Sequence, residues 1–257
     1  MRLLFIRHGD PDYEHDTLTE KGHREAKLLS CMASDLRLGT VYQSPLGRAQ
    51  VTASYSLEET GLTAKTCSWL REFPAAVDIN RSPELQYAYP DCKKEGEIFR
   101  PRIVWDMLPG YWTTHPEYLD RTAWRTSEAA RCSNLTETYD SVKKEFLELL
   151  AAHGYRKGEH FFHAEKANED TLTFFCHFGI TCVLLSILWD ISPFLLWHDL
   201  VLAPTSVTEL VTEEREQGIA VFRALRLGDT AHLALAHEPA SFAARFCETY
   251  AKTDQRH

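Results

Sequence analysis

Arg7-His8-Gly9, Arg48, Glu72 and His177 are the residues of this 257-residue chain whose types and spacing suit phosphoryl chemistry. An imidazole can attack phosphorus, and a neighbouring guanidinium can hold phosphate oxygens through paired, charge-assisted hydrogen bonds. The glycine lets backbone approach the anion. Arg48 falls in the first turn of an expected helix, where its charge and the unpaired backbone N–H groups could converge on the same anion. His177 ends a nearly all-apolar segment, where an unpartnered imidazole is costly. Glu72 follows an expected strand by a few residues, on the expected ligand side. Each has an ordinary alternative: a solvated loop for the tripeptide, a solvated helix arginine, a satisfied core histidine and a surface carboxylate.

Those residues need elements to position them. Leu3–Ile6 is a short apolar run without alternation that ends at Arg7-His8-Gly9-Asp10-Pro11, the pattern of a buried parallel strand. Thr19 reads as the cap of a helix in which Ala26, Leu29, Ala33 and Leu36 share one face before Gly39 stops it. A strand follows at Thr40–Gln43. Ser44-Pro45 reads as an N-cap and first-turn proline, predicting a helix from Pro45 towards Thr60 that ends near Gly61. Ala64–Ser68 and Thr171–Cys176 read as strands, and the helix Ile180–Trp189 follows His177-Phe178-Gly179. Thr136 caps a helix whose Tyr139, Val142, Phe146 and Leu150 share a face, ending at Gly154. Ser206–Val211 and Ala220–Leu225 are two further strands with Glu213–Gly218 as their turn, and a last helix is expected after Pro239.

Strands alternating with helices predict an α/β fold, a three-layer sandwich with a mostly parallel sheet flanked by helices. Ligands of such sheets bind beyond the strands' carboxyl ends, where His8 and His177 are both expected. Residues 73–134 break this rhythm. Six prolines interrupt them, and Tyr87, Tyr89, Trp105, Tyr111, Trp112, Tyr118 and Trp124 load them with aromatic rings, so they read as an inserted cap.

Composition narrows the partners. Lys and Arg number 28 against 37 Asp and Glu, a formal charge of −9, which argues against a nucleic-acid partner or an anionic membrane surface. The strongly apolar run Ile180–Leu188 is far short of the roughly 20 residues that span a bilayer. The run Leu3–Ile6 is too short for a signal peptide, so a cytoplasmic location is expected. The 7 cysteines form no Cys-x-x-Cys pair and read as reduced thiols. His160-x-x-His163 with Glu165 has passable ligand spacing but lacks a convincing fourth ligand, so it reads as a polar turn. His198 and Asp199 are sequence neighbours with no requirement to face the pocket.

Four segments in order then carry a resemblance: Arg7-His8-Gly9, Leu18-Thr19-x-x-Gly22, Ser44-Pro45-Leu46-x-Arg48-Ala49 with Thr52-Ala53, and Cys176-His177-x-Gly179. Together they resemble the histidine phosphatase (phosphoglycerate mutase-like) superfamily. Leu70-x-Glu72 is similar to its proton-donor segment, and Pro204–Thr208 with Gly228–Leu233 to its C-terminal strand and closing segment. The resemblance implies a single domain over 1–257 with the cap inserted at about 73–134. It also implies a phosphate pocket of Arg7, His8, Arg48 and His177, joined by the Phe178 backbone N–H.

His8 would be the nucleophile that becomes phosphorylated, and Glu72 the proton donor. No metal and no cofactor is implied, because cationic side chains take the place of a magnesium ion. The implied activity is hydrolysis of a phosphomonoester of a small metabolite. The alternatives are a phosphoglycerate-type mutase and a non-catalytic module that binds a phosphorylated ligand. The chain departs from the family pattern at Asp10-Pro11, at Phe178, where glycine is common, and at Glu25, where Gln is frequent and which reads as an exposed variant. No Asp follows His177, which favours Glu72 as donor.

Overall fold

The computed structural model of the protein describes residues 1–74, 76–89, 92, 94–242, 249 and 251. Two compact units are present. The first contains Met1–Glu72, Leu149–Thr181 and the chain from Val201 onward; the second contains Phe73–Glu148 and Cys182–Leu200.

In chain order, the sheet strands of the first unit and the helices between the first three of them are β1 (Arg2–Arg7), α1 (Glu20–Ser30), α2 (Ala33–Leu36), β2 (Thr40–Gln43), α3 (Gly47–Thr60), β3 (Ala64–Thr66), β4 (Tyr155–Lys157), β5 (Phe162–Ala164), β6 (Thr171–Cys176), β7 (Val207–Glu216) and β8 (Ile219–Asp229). One sheet runs β4-β5-β8-β7-β1-β6-β2-β3. Its β1, β6, β2 and β3 are parallel, and β7 joins β1 antiparallel to start a wing completed by β8, β5 and β4. The fold is thus the expected α/β architecture, with the parallel strands as the half that carries the histidines.

Register explains why they meet. Arg7 of β1 pairs with Cys176 of β6, and Phe175 pairs with Gln43 of β2. His8, His177 and Ser44 therefore leave the sheet side by side at its carboxyl edge. The pairing continues past the strands: the His8 N–H donates to Cys176 O (3.0 Å) and the Ser44 N–H to Phe175 O (2.9 Å). Leu3–Ile6 are almost wholly buried, since β1 lies between two strands and is covered on both faces.

α1 opens as expected: the Thr19 hydroxyl accepts the Gly22 N–H at 3.1 Å. Gly22 has to be glycine because a Cβ there would collide with the Asp10 carbonyl oxygen, and one on Gly9 would lie 2.7 Å from Gly22 O. The loop after His8 thus rests directly on helix backbone. The expected face is present, with Ala26, Leu29, Ala33 and Leu36 all buried, but two helices carry it. Ser30 donates its hydroxyl to Lys27 O (2.9 Å) and the Met32 N–H closes on Leu29 O (3.0 Å), which tightens the last turn and ends α1.

α3 starts at Gly47, two residues later than predicted, because Ser44 is not its cap: its hydroxyl accepts the Leu46 N–H (3.2 Å) and meets His177. The far end is as predicted, with Gly61 in the left-handed region at φ 68°. β7 and β8 run through most of the segment expected to be a turn, leaving Gln217-Gly218 as a two-residue connection with Gly218 at φ 79°. Its polar residues are exposed strand residues, with Arg223 of β8 paired to Glu213 of β7. β3 stops at Thr66, and a single turn of tighter helix, Ser68–Leu70, leads to Glu72. After Pro239, residues 240–242 carry no helix, and most of the segment predicted as a final helix lies outside the described residues.

The second unit is built from short turns around rings. Tyr118 and Trp124 are buried, Trp124 meets Tyr139 (4.9 Å between centroids), and Phe194 meets Tyr118 (4.7 Å) and Trp197 (5.4 Å). Tyr139 and Phe194 come from the helices α4 (Leu135–Ala152) and α6 (Pro193–Asp199); α5 (Phe178–Trp189) lies between them in the chain. Most of the expected cap aromatics are packing residues, whereas Tyr87 stands exposed. His198 stacks on Trp112 at 4.7 Å within this unit.

Candidate active site

The carboxyl edge of the parallel strands gathers Arg7, His8, Arg48, Glu72 and His177, all in the first unit. His8 and His177 are both buried, with ring centroids 5.0 Å apart. His8 Nδ1 lies 2.7 Å from Gly9 O. A carbonyl can only accept, so Nδ1 carries the proton and Nε2 keeps its lone pair. Burial first, then the charge of Arg7 and the nearness of His177, hold the His8 imidazolium well below its ordinary pKa. The ring is therefore neutral at physiological pH.

His177 is held the same way, by burial and by the charges of Arg48 and Arg7. Its Nε2 is 2.7 Å from Ser44 Oγ, and its Nδ1 is buried without a hydrogen-bond partner among the described residues. Ser44 Oγ already accepts the Leu46 N–H, so its own proton can go to His177 Nε2, leaving Nδ1 as an N–H donor. A buried donor of this kind is satisfied when an anion binds.

Both arginines are buried and anchored. Arg7 donates through Nη1 to Leu202 O at 2.5 Å. Arg48 donates through Nη1 to Asp16 Oδ1 at 2.6 Å, and Asp16 Oδ2 accepts the Gly47 N–H at 2.7 Å. Asp16 thus caps α3 and aims Arg48 together, from a left-handed backbone (φ 48°) that Asp tolerates. Arg48 Nε is buried and has no hydrogen-bond partner among the described residues. Tyr13 lies over Arg48 with its ring centroid 5.4 Å from the guanidinium carbon, and is itself exposed.

Glu72 is half-buried and accepts the Ile180 N–H through Oε1 at 3.1 Å, which places a carboxylate at the N-terminal turn of α5 beside His177 and Phe178. It also acts electrostatically on Arg7. Phe178 is the first residue of α5. The segment Pro204–Thr208 closes the backbone side: the Thr205 N–H donates to His8 O at 3.1 Å.

Sequence reasoning missed Asp16, Ser44 and Tyr13 as neighbours of the site. Asp16 gives no local signal, since its partners Gly47 and Arg48 are far along the chain. Glu25 corrects an expectation: it is fully buried, not exposed, because α1 turns it under the loop that follows His8. Asp10 accepts the Thr19 hydroxyl at 2.6 Å. Glu165 is paired with Arg156 (2.6 Å) and His160 with Glu159 (3.4 Å), and no described cluster of three or more His, Cys, Asp or Glu is arranged to hold a metal. Burial pushes the Cys176 thiol up to about 12, far from thiolate chemistry. No described helix is long and apolar enough to cross a membrane.

The sequence model of the histidine phosphatase superfamily, branch 1, matches residues 3–94. The likeness to that superfamily in sequence thus lies in residues 3–94. That stretch contains Arg7, His8, Arg48 and Glu72, so most of the gathered residues fall within the matched part of the chain. No curated protein matches the chain significantly in sequence.

Solved structures share the fold. A phosphoserine phosphatase variant from Entamoeba histolytica with bound phosphoserine has a TM-score of 0.58 at 14% identity, covering 90% of this chain and 98% of its own. A mycobacterial glucosyl-3-phosphoglycerate phosphatase with inorganic phosphate has 0.55 at 19% identity, covering 90% and 98%. The same mycobacterial enzyme with VO3 has 0.55 at 18%, covering 88% and 98%.

Proposed function

We propose that the protein is a phosphatase that hydrolyses a phosphomonoester of a small metabolite through a phosphohistidine at His8. The observation that carries this reading is the neutral His8 ring with Nδ1 engaged by Gly9 O, close enough to two buried arginines and a second histidine with an unpartnered Nδ1 to feel their charge.

In the first step His8 Nε2 forms a bond to phosphorus as the ester P–O bond breaks, and Glu72 gives its proton to the departing alkoxide. Arg7, Arg48 and His177 hold the three non-bridging oxygens, with the Phe178 N–H at the start of α5 as a further donor. Their placement before reaction is what lowers the barrier, because charge on those oxygens is met without reorganisation. In the second step water attacks phosphorus, Glu72 takes its proton, the N–P bond breaks and inorganic phosphate leaves. His8 returns to its neutral tautomer and Glu72 to its acid form. The two arginines supply the positive charge, and the reaction as written uses no metal.

The test is phosphate release from a panel of alkyl and aryl phosphomonoesters with a chelator present throughout. Turnover that persists in chelator is the expected result. Release that stops in chelator and returns with a divalent cation would overturn the metal-independent part, and a positional isomer formed faster than free phosphate would replace hydrolysis by a mutase reaction.

A further inference from the structure

At the loop that follows His8, two carboxylates join the histidine loop to the C-terminal part of the chain. Glu25 of α1 accepts the Asp10 N–H through Oε2 and the Ser241 N–H through Oε1, each at 3.0 Å. Asp10 accepts the Thr19 hydroxyl on one oxygen and the Ser241 hydroxyl on the other. Around them Lys21 donates to Pro239 O (2.6 Å), and both Lys21 and Arg24 pair with Glu238, at 3.8 and 3.5 Å. The segment 238–241 is thereby strapped along α1, and Glu25 is where the strap reaches the loop.

We propose that Glu25 is a positioning residue of the phosphatase site, whose carboxylate fixes the Asp10 backbone after His8-Gly9 and couples it to the docking of Ser241. The inference rests on the reading of His8 as the reacting residue. Both partners of Glu25 are N–H donors, so only a carboxylate, with an acceptor on each oxygen, satisfies both; the Gln frequent at this position in the family offers one acceptor and would leave the other N–H unmet. The chain has therefore placed a titratable group where the family pattern has an amide.

That group titrates in the working range. Burial pushes the Glu25 carboxyl up to about 7, with Asp10 adding to the rise, and the Asp10 and Ser241 N–H groups and Lys21 opposing it. Arg7 is the other charge acting on it, from the histidine loop. Above pH 7 the carboxylate accepts both N–H groups. Below it one oxygen becomes an O–H, one acceptor is lost and the loop is held less firmly. The activity of the site therefore rises with pH through about 7 on account of Glu25. His8 does not titrate there, since its imidazolium is held well below the ordinary range.

The experiment compares kcat/KM from about pH 5.5 to 9 for the wild-type protein, Glu25→Gln and Ser241→Ala on one phosphomonoester. Ionisation of the substrate phosphate, near pH 6, affects all three alike. The expected wild-type profile rises about fivefold across an inflection near 7, the effect of one hydrogen bond. Glu25→Gln is expected to stay at the low-pH level without that inflection. Ser241→Ala keeps the backbone N–H and should keep the inflection. An inflection of equal size in Glu25→Gln, or one of opposite direction in the wild type, overturns the proposal.

Amide hydrogen exchange at Asp10 and Ser241 gives a second readout that needs no turnover. Protection that rises above pH 7 in the wild type, and is absent in Glu25→Gln, upholds the link even if the phosphatase reading fails. Equal protection in both overturns it.

Discussion

His8→Ala is expected to reduce phosphate release by on the order of 10⁵-fold while leaving substrate binding largely in place. The asymmetry follows from the geometry. Arg7 is anchored by Leu202 O, Arg48 by Asp16 and His177 by Ser44, so none of them depends on the His8 ring for its position. On the proposed mechanism the variant loses the atom that bonds to phosphorus and keeps the groups that hold its oxygens. Titration with inorganic phosphate, followed by the protein's own fluorescence or by calorimetry, separates the two effects. Binding with lost turnover is the predicted pair; a variant that binds and turns over normally would remove His8 from the chemistry.

The second large effect is at Glu72. Glu72→Gln keeps an oxygen to accept the Ile180 N–H, so the start of α5 stays capped while the proton is lost. General acid catalysis of this kind contributes about 10²–10⁴-fold, and that is the expected loss in kcat for alkyl phosphates, whose alkoxide cannot leave unprotonated. An aryl phosphate needs no such proton. With it the variant should release a burst of phenol matching the enzyme present and then slow, because the same carboxylate is needed to activate water in the second step. A loss equal for both ester types, with no burst, would assign Glu72 a purely structural role at α5.

How far the chain could be read without its structure depended on whether a signal was local. β1 was legible from the uninterrupted apolar run Leu3–Ile6 and β6 from a nearly all-apolar one, as strands covered on both faces require, and Thr19 and Gly61 mark helix ends through residue chemistry confined to one turn. The placing of His8 and His177 at neighbouring strand ends followed from the same rule. What stayed hidden was tertiary. Asp16 caps a helix that begins at Gly47, so no window of sequence contains both partners. Ser44 looks like a cap and instead meets His177, because the register of β2 against β6 brings it there.

Glu25 was the sharpest difference. Helical spacing lets a residue beside the apolar face point either way, and only the docking of Ser241 on α1 decides that this carboxylate is enclosed. The hairpin β7–β8 was underestimated because its outer strand residues are charged and carry the composition of a turn.

The measurement that bears most directly on the account is capture of the phosphoenzyme. Rapid quenching into alkali during turnover of an aryl phosphate by Glu72→Gln, where the second step is slow, followed by peptide mass analysis, should place one phosphoryl group on the peptide containing His8, stable to alkali and lost in acid. A phosphoryl group on any other residue, or steady turnover with no phosphorylated protein at any time, would contradict the phosphohistidine mechanism.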